Sequence, residues 1–204
     1  MLISSYNNQA FDDLLVVQIK QSADENQNFE RKGDITKLTD KKSGDTVGFN
    51  FFNASKMIGS VESGPVTLSN EQVEALNEAL KNEGFEDVLY VDTRPKFVVG
   101  HVLECEPHED SDHLSVTKVQ VDNGKVLQIV CGAANIAKDQ KVVVAKPGAT
   151  MPDGLVIWPG ALRGVDSHGM ISSAKELGVE VPAEKQSGIL VLEDDAEVGA
   201  AFEF

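Results

Sequence analysis

The stretch LSVTKVQVDNGKVLQIVC, residues 114–131, sets the reading of this chain. Apolar side chains recur at Leu114, Val116, Val119 and Val121, close to the two-residue period of a half-buried strand. The parity slips once, at Thr117-Lys118, and the slip is read as a β-bulge in this strand. Asn123-Gly124 follows, a pair whose backbone takes the positive φ angles of a two-residue hairpin turn. Val126 to Cys131 is then the return strand. A lone hairpin is at best marginally stable in water, so neighbouring segments must supply more strands.

Candidates lie on both sides. Upstream, Phe97 to Glu104 is strand-like and Pro107 to Asp112 is a polar loop. Downstream, Gly132 to Ala137 reads as a short helical connection, and Lys141 to Ala145 as a strand closed by Pro147-Gly148. Asp153-Gly154 reads as a second hairpin turn before Leu155 to Trp158, and Gly188 to Leu192 as a final apolar strand. Short strands with turns at roughly 8–12-residue intervals indicate a sandwich or small barrel. A segment of about 100 residues suits a five-stranded OB-type barrel with additions. Within it, LRGVDSHGMISSAKELGV (162–179) holds Arg163, the only arginine after the chain midpoint. Gly164 and Gly169 bracket a polar tip, Met170 follows, and a short helix-like turn ends at Gly178. Tight-turning glycines, a planar multi-donor cation and an adaptable thioether together read as a binding edge.

The first half is organised differently. Leu14 to Lys20 reads as a strand, Gln21 to Arg31 as a polar stretch, and Asp34–Thr39 and Thr46–Phe52 as strands joined by the turn DKKSGD. Phe49, Phe51 and Phe52 are candidates for a small core. Ser69 to Gly84 is the clearest helix: Ser69 and Gln72 form a capping box, Leu68 and Val73 a staple across it, and Val73, Leu76 and Leu80 an apolar stripe. Val88 to Val91 reads as the last strand of this half, and Thr93-Arg94-Pro95-Lys96 as the boundary, where proline interrupts regular structure. The expectation is a small α+β N-terminal domain over residues 1–94, followed by an all-β OB-fold barrel with short helices over 95–204.

Composition narrows the function classes. Hydrophobic residues make up 41% of the 204 positions, enough for packed cores. The net charge is −15, divided as −7 over residues 1–94 and −8 over 95–204. That is the reverse of the basic surplus of a general nucleic-acid coat, so any nucleic-acid contact must come from a localised patch. Cys105 and Cys131 stand outside any CxxC and read as reduced thiols. The N-terminus lacks a signal-peptide pattern and no apolar run is long enough to span a bilayer; a cytoplasmic protein is expected, with no membrane contact. Cys105, His108 and His113, with Asp110 and Asp112, match no closed zinc spacing and are read as solvated loop residues. Ser172 and Lys175 make an S-x-x-K without its partner motifs. Asp166, Ser167 and His168 are adjacent and would splay apart rather than form a triad. Neither a P-loop nor a dinucleotide fingerprint is present. Neither catalysis nor a cofactor, metal or small-molecule substrate is expected.

FVVGHVLECEPHEDSDHLSVTKVQV (97–121), VLQIVCGAANI (126–136), VAKPGA (144–149), LRGVDSHGMISSAKELGV (162–179) and GILVL (188–192) occur in that order. Together they resemble the tRNA-binding domain near the N-terminus of the bacterial phenylalanyl-tRNA synthetase β chain, also appended to methionyl-tRNA synthetases and EMAP-II-like proteins. With the preceding half and no synthetase catalytic region, the chain looks like the stand-alone, YtpR-type tRNA-binding proteins of bacteria. The resemblance implies an OB fold, binding of tRNA or tRNA-like RNA in trans, and no chemistry. It implies contacts from Arg163 in L-R-G-V, Ser167 and Met170 in S-x-G-M, Ser173 before E-L-G, Asn135 in C-G-A-x-N and Lys146 in V-A-K-P-G-A. His113 stands where the family often has lysine, so a fixed charge is replaced by one that titrates near neutrality. Domains of the family can associate as symmetric dimers, which makes a homodimer a further expectation. The −15 charge and the acidic loop motivate a second expectation, an adaptor or oligomerisation module that uses the OB face for a protein partner.

Overall fold

A six-stranded antiparallel sheet organises the first half of the computed structural model, which describes residues 1–8, 11–91 and 93–204. Its strands are β1 (Ile3–Tyr6), β2 (Leu14–Gln18), β3 (Gln27–Lys32), β4 (Ile35–Asp40), β5 (Thr46–Phe52) and β6 (Gly64–Val66), in the order β3-β4-β5-β2-β1-β6. Helix α1 (Ser55–Ile58) precedes β6, and α2 (Asn70–Asn82) follows it. Alternation places Leu15, Val17, Ile35, Phe49 and Phe51 in one core with Leu76 and Leu80 of α2, all fully buried. Phe52 has the opposite parity: it lies outside that core, with the Arg31 guanidinium 4.4 Å from its ring centre. The capping box of α2 is present, Ser69 Oγ accepting from Gln72 N–H while Gln72 Oε1 accepts from Ser69 N–H.

Two segments depart from expectation. The polar stretch 21–31 runs into β3, a full edge strand whose single aromatic residue, Phe29, is 77% exposed. It buries almost no side chain, so it carries no alternation signal; backbone pairing with β4 makes it a strand. Val88 to Val91 is not a strand. Leu89 is buried there, and both its backbone polar groups are taken by the side-chain amide of Asn77, at 2.7 and 2.9 Å. A side chain thus satisfies what a ladder would have satisfied.

The second compact unit runs from Arg94 to Phe204, the first from Met1 to Thr93. Its strands are β7 (Phe97–Pro107), β8 (Ser115–Gln120), β9 (Val126–Cys131), β10 (Lys141–Ala145), β11 (Gly160–Leu162), β12 (Val165–Ser167), β13 (Met170–Ile171) and β14 (Val191–Leu192), with α3 (Ala174–Leu177) after β13. The main sheet has the order β13-β10-β7-β8-β9, β14 pairs with β10, and β11-β12 is a separate hairpin. His168 N–H donates to Gln128 of β9 just before β13, joining the two ends of the sheet. At that closure Gly169 has φ 137°, and a Cβ there would lie 3.0 Å from the Ala145 carbonyl oxygen. The fold is an α+β unit followed by an all-β, OB-like barrel with short helices.

The hairpin at 114–131 forms around Asn123 and Gly124, with φ of 56° and 69°. The bulge is not in β8. Thr117, Val119 and Val121 all point inward, and Thr117 is fully buried with its hydroxyl donating to the Ile129 carbonyl. The register shift lies in β7, between Val102 and Glu104. The sequence parity misleads because a threonine occupies a core position, its one polar group satisfied internally. Gly132 to Ala137 forms turns instead of a helix. The Asn135 amide reaches across to Ile189, donating to its carbonyl and accepting from its N–H. Gly188 (φ 76°) makes room, since a Cβ there would fall 2.0 Å from Asn135 Oδ1.

Candidate nucleic-acid interface

Two loops meet at one edge of the barrel. The β7–β8 loop closes on itself, His108 N–H donating to Leu114 O at 2.9 Å and Ser111 N–H to His108 O at 3.2 Å. The β11–β12 hairpin turns through Arg163 and Gly164, whose φ angles of 46° and 82° are both left-handed. That is the backbone of a two-residue turn matching strand twist. The Arg163 guanidinium is exposed and Nη1 donates to the Asp110 carbonyl at 2.8 Å. His113, on the same loop as Asp110, is exposed and holds Asp112 Oδ1 at 3.0 Å through Nδ1. The His113 hydrogen bond holds the Asp112 carboxyl below its ordinary range, assisted by a backbone bond and by the imidazole's charge. Arg163 and His113 therefore share one rim, set among Glu109, Asp110 and Asp112.

The other five expected residues have internal partners or core contacts. Ser167 is buried and its Oγ accepts from Val130 N–H at 3.1 Å, fastening β12 to β9. Ser173 is the N-cap of α3: its Oγ accepts from Glu176 N–H and donates to Glu176 Oε2 at 2.6 Å. Asn135 clamps Ile189 across the barrel. Lys146 pairs with Asp122 at 2.7 Å, the two side chains only 12% and 18% exposed. Met170 is half-buried against the core of Val143, Ala145 and Leu177.

Three of these residues, Ser167, Met170 and Ser173, nevertheless line a groove of about 800 Å³ that also includes Leu162, the neighbour of Arg163. Its wall carries Trp158, half-exposed, and its rim carries the exposed Lys175. An aromatic face and an ammonium lining one groove are a combination that serves unpaired bases and backbone phosphate. Neither residue stands out in the sequence as a contact, because nothing local to them shows that the chain folds them beside 162–173. Ser172 and Lys175 do not act together: Ser172 is fully buried with an unpartnered Oγ, and Lys175 faces solvent. His108 is not a solvated residue; it is 3% exposed, with both ring nitrogens engaged. Among the described residues no cluster of His, Cys, Asp or Glu is arranged to hold a metal ion.

Known proteins match nearly the whole chain. A family described as "Domain of unknown function (DUF4479)" matches residues 22–92, and one described as "Putative tRNA binding domain" matches residues 97–201. The chain is 50% identical over 200 residues, 98% of each protein, to the "Putative tRNA-binding protein YtpR" of Bacillus subtilis (strain 168). It is 45% identical over 133 residues to the phenylalanine–tRNA ligase beta subunit of Geobacillus kaustophilus (strain HTA426), covering 64% of this chain and 15% of that subunit. It is 52% identical over 103 residues to the corresponding subunit of Nitratidesulfovibrio vulgaris (strain ATCC 29579 / DSM 644 / CCUG 34227 / NCIMB 8303 / VKM B-1760 / Hildenborough), covering 50% and 12%. The likeness to the ligases is thus confined to a small part of their length.

Proposed function

We propose, because the chain belongs to the tRNA-binding domain family, that it binds tRNA or tRNA-like RNA in trans and catalyses no reaction. The observation that carries this is the match, over 98% of both chains, to a relative itself named for tRNA binding. The exposed edge supports it. Arg163 offers guanidinium donors at the tip of the β11–β12 hairpin, His113 stands on the adjoining loop, and Trp158 and Lys175 line the groove that includes Leu162. RNA is recognised through outline, backbone and unstacked bases, which a few well-placed donors can serve on an acidic protein. The serines that a hydrolase reading would need face inward, Ser167 toward Val130 N–H and Ser172 into the core. A tRNA ligand implies a cytoplasmic protein.

Filter binding of the purified protein to tRNA at low and moderate salt tests the proposal. Saturable binding at low salt is expected; no saturable binding at either salt overturns it. The −15 charge, and the engagement of Lys118, Lys146 and Lys185 by Gln128, Asp122 and Glu193, favour one second reading, a protein partner on the same face. Co-purification with and without nuclease separates the two: partners that persist after nuclease, with no RNA recovered, support the second.

A further inference from the structure

We propose that His108 is a positioning residue for this interface: its buried imidazole ties the β7–β8 loop to the β11–β12 hairpin and so holds Arg163 at the RNA-facing edge. The consequence for binding rests on the RNA-binding reading above; the clasp itself rests on geometry.

His108 follows the last residue of β7 and is 3% exposed. Nδ1 lies 3.0 Å from the Asp110 amide nitrogen, and Nε2 lies 3.3 Å from the Leu162 carbonyl oxygen. A backbone N–H can only donate and a carbonyl can only accept, so both contacts are hydrogen bonds in one form alone: Nδ1 bare, Nε2 protonated, the ring neutral. The two partners belong to different elements. Asp110 is on the loop, and Leu162 is the last residue of β11, directly before Arg163. A reciprocal bond runs back, from Arg163 Nη1 to the Asp110 carbonyl at 2.8 Å. Asp110 thus receives the imidazole on its N–H and the guanidinium on its C=O, and the four groups close a ring of contacts. The loop's own shape is held independently by the main-chain bonds of His108 to Leu114 and Ser111. Losing the imidazole therefore leaves the loop folded but unfastens the hairpin tip. Asparagine can offer an acceptor near the Nδ1 position and glutamine a donor near the Nε2 position; neither supplies both.

The test is a double-mutant cycle on tRNA binding by the full chain, using His108→Ala, Arg163→Ala and the pair, with His108→Gln as the variant that keeps a donor for Leu162. His108→Ala is expected to weaken binding about ten-fold, roughly as Arg163→Ala does, and to add nothing when Arg163 is already gone. His108→Gln is expected to recover most of the loss, and His108→Asn, which keeps no donor for Leu162, carries the cycle if the alanine variant does not fold. Wild-type affinity in the folded His108→Ala or His108→Asn protein, or losses that multiply in the double variant, would overturn the assignment. Imidazole ¹⁵N spectra supply a readout independent of RNA. A protonated Nε2 and a bare Nδ1 at neutral pH are expected, and a protonated Nδ1 there refutes the clasp. If the wild-type protein binds no tRNA while the spectrum shows the expected tautomer, the RNA reading fails and the clasp stands. If it binds tRNA while Nδ1 is protonated, the RNA reading stands and the clasp fails.

Discussion

Arg163 occupies a left-handed backbone position, φ 46°, next to Gly164 at 82°. A β-carbon is disfavoured there, and glycine or asparagine would be the unstrained choice. The two-residue turn imposes that angle whatever residue fills it, so arginine at the tip carries a strain cost. Arg163→Gly is therefore expected to raise stability by up to about 1 kcal/mol, measured by urea unfolding, while weakening tRNA binding in the filter assay. Lys146 is the contrary case. Its ammonium is committed to Asp122, both side chains largely buried, so Lys146→Ala leaves a carboxylate without its partner. A loss on the order of 3 kcal/mol is expected, with the salt dependence of tRNA binding unchanged. The difference between these two cations is not legible in the sequence. Both sit in recognisable family blocks, but only the fold shows that Asp122, from the β8–β9 turn, closes over one of them. Ser167, Ser173 and Asn135 are opaque for a related reason: a polar side chain in a motif looks alike whether it faces a ligand or a backbone amide.

Elements are more readable where a local rule makes them and less so where distant pairing does. The α2 capping box and the Asn123-Gly124 turn follow from residues close together in the chain, and both are present. Strand β3 depends on β4, and the register shift in β7 depends on β8; neither partnership is visible in a local pattern. The turn after β4 is a mixed case, two local backbone donors joined by a hydroxyl from 18 residues back. Asp40 accepts from the backbone N–H groups of Ser43 and Lys42 and from the Ser22 hydroxyl, which brings its carboxyl down from 3.8 to about 2. A depressed folded-state value means stabilisation that is fully present above pH 3.8 and is lost as the pH falls toward about 2. The urea midpoint of the N-terminal unit is expected to fall across that window, and that of Asp40→Ala to fall less steeply. Equal slopes for the two proteins would show that the turn is held by other bonds.

On the scale of the whole molecule, the −15 charge sets the character of any RNA complex. A surface carrying that net charge repels the phosphate backbone away from its local patch, so the logarithm of the binding constant should fall with the logarithm of salt at a slope of about −1 to −3. Arg163→Ala should reduce that slope by about one. A slope steeper than roughly −5 would require a basic surface that the charge distribution does not provide. An α+β-then-barrel order was available from the chain itself, because hydrophobic period, turn chemistry and caps act between near neighbours in sequence. The sequence by itself determined the family and the barrel. The tertiary structure alone decided which polar groups remain outward and which are spent inside, and it turned His108 from a loop histidine into a buried tether. The physical reason is that a hydrogen bond or ion pair between residues far apart in the chain leaves no periodicity behind; its partner is chosen only when the barrel closes.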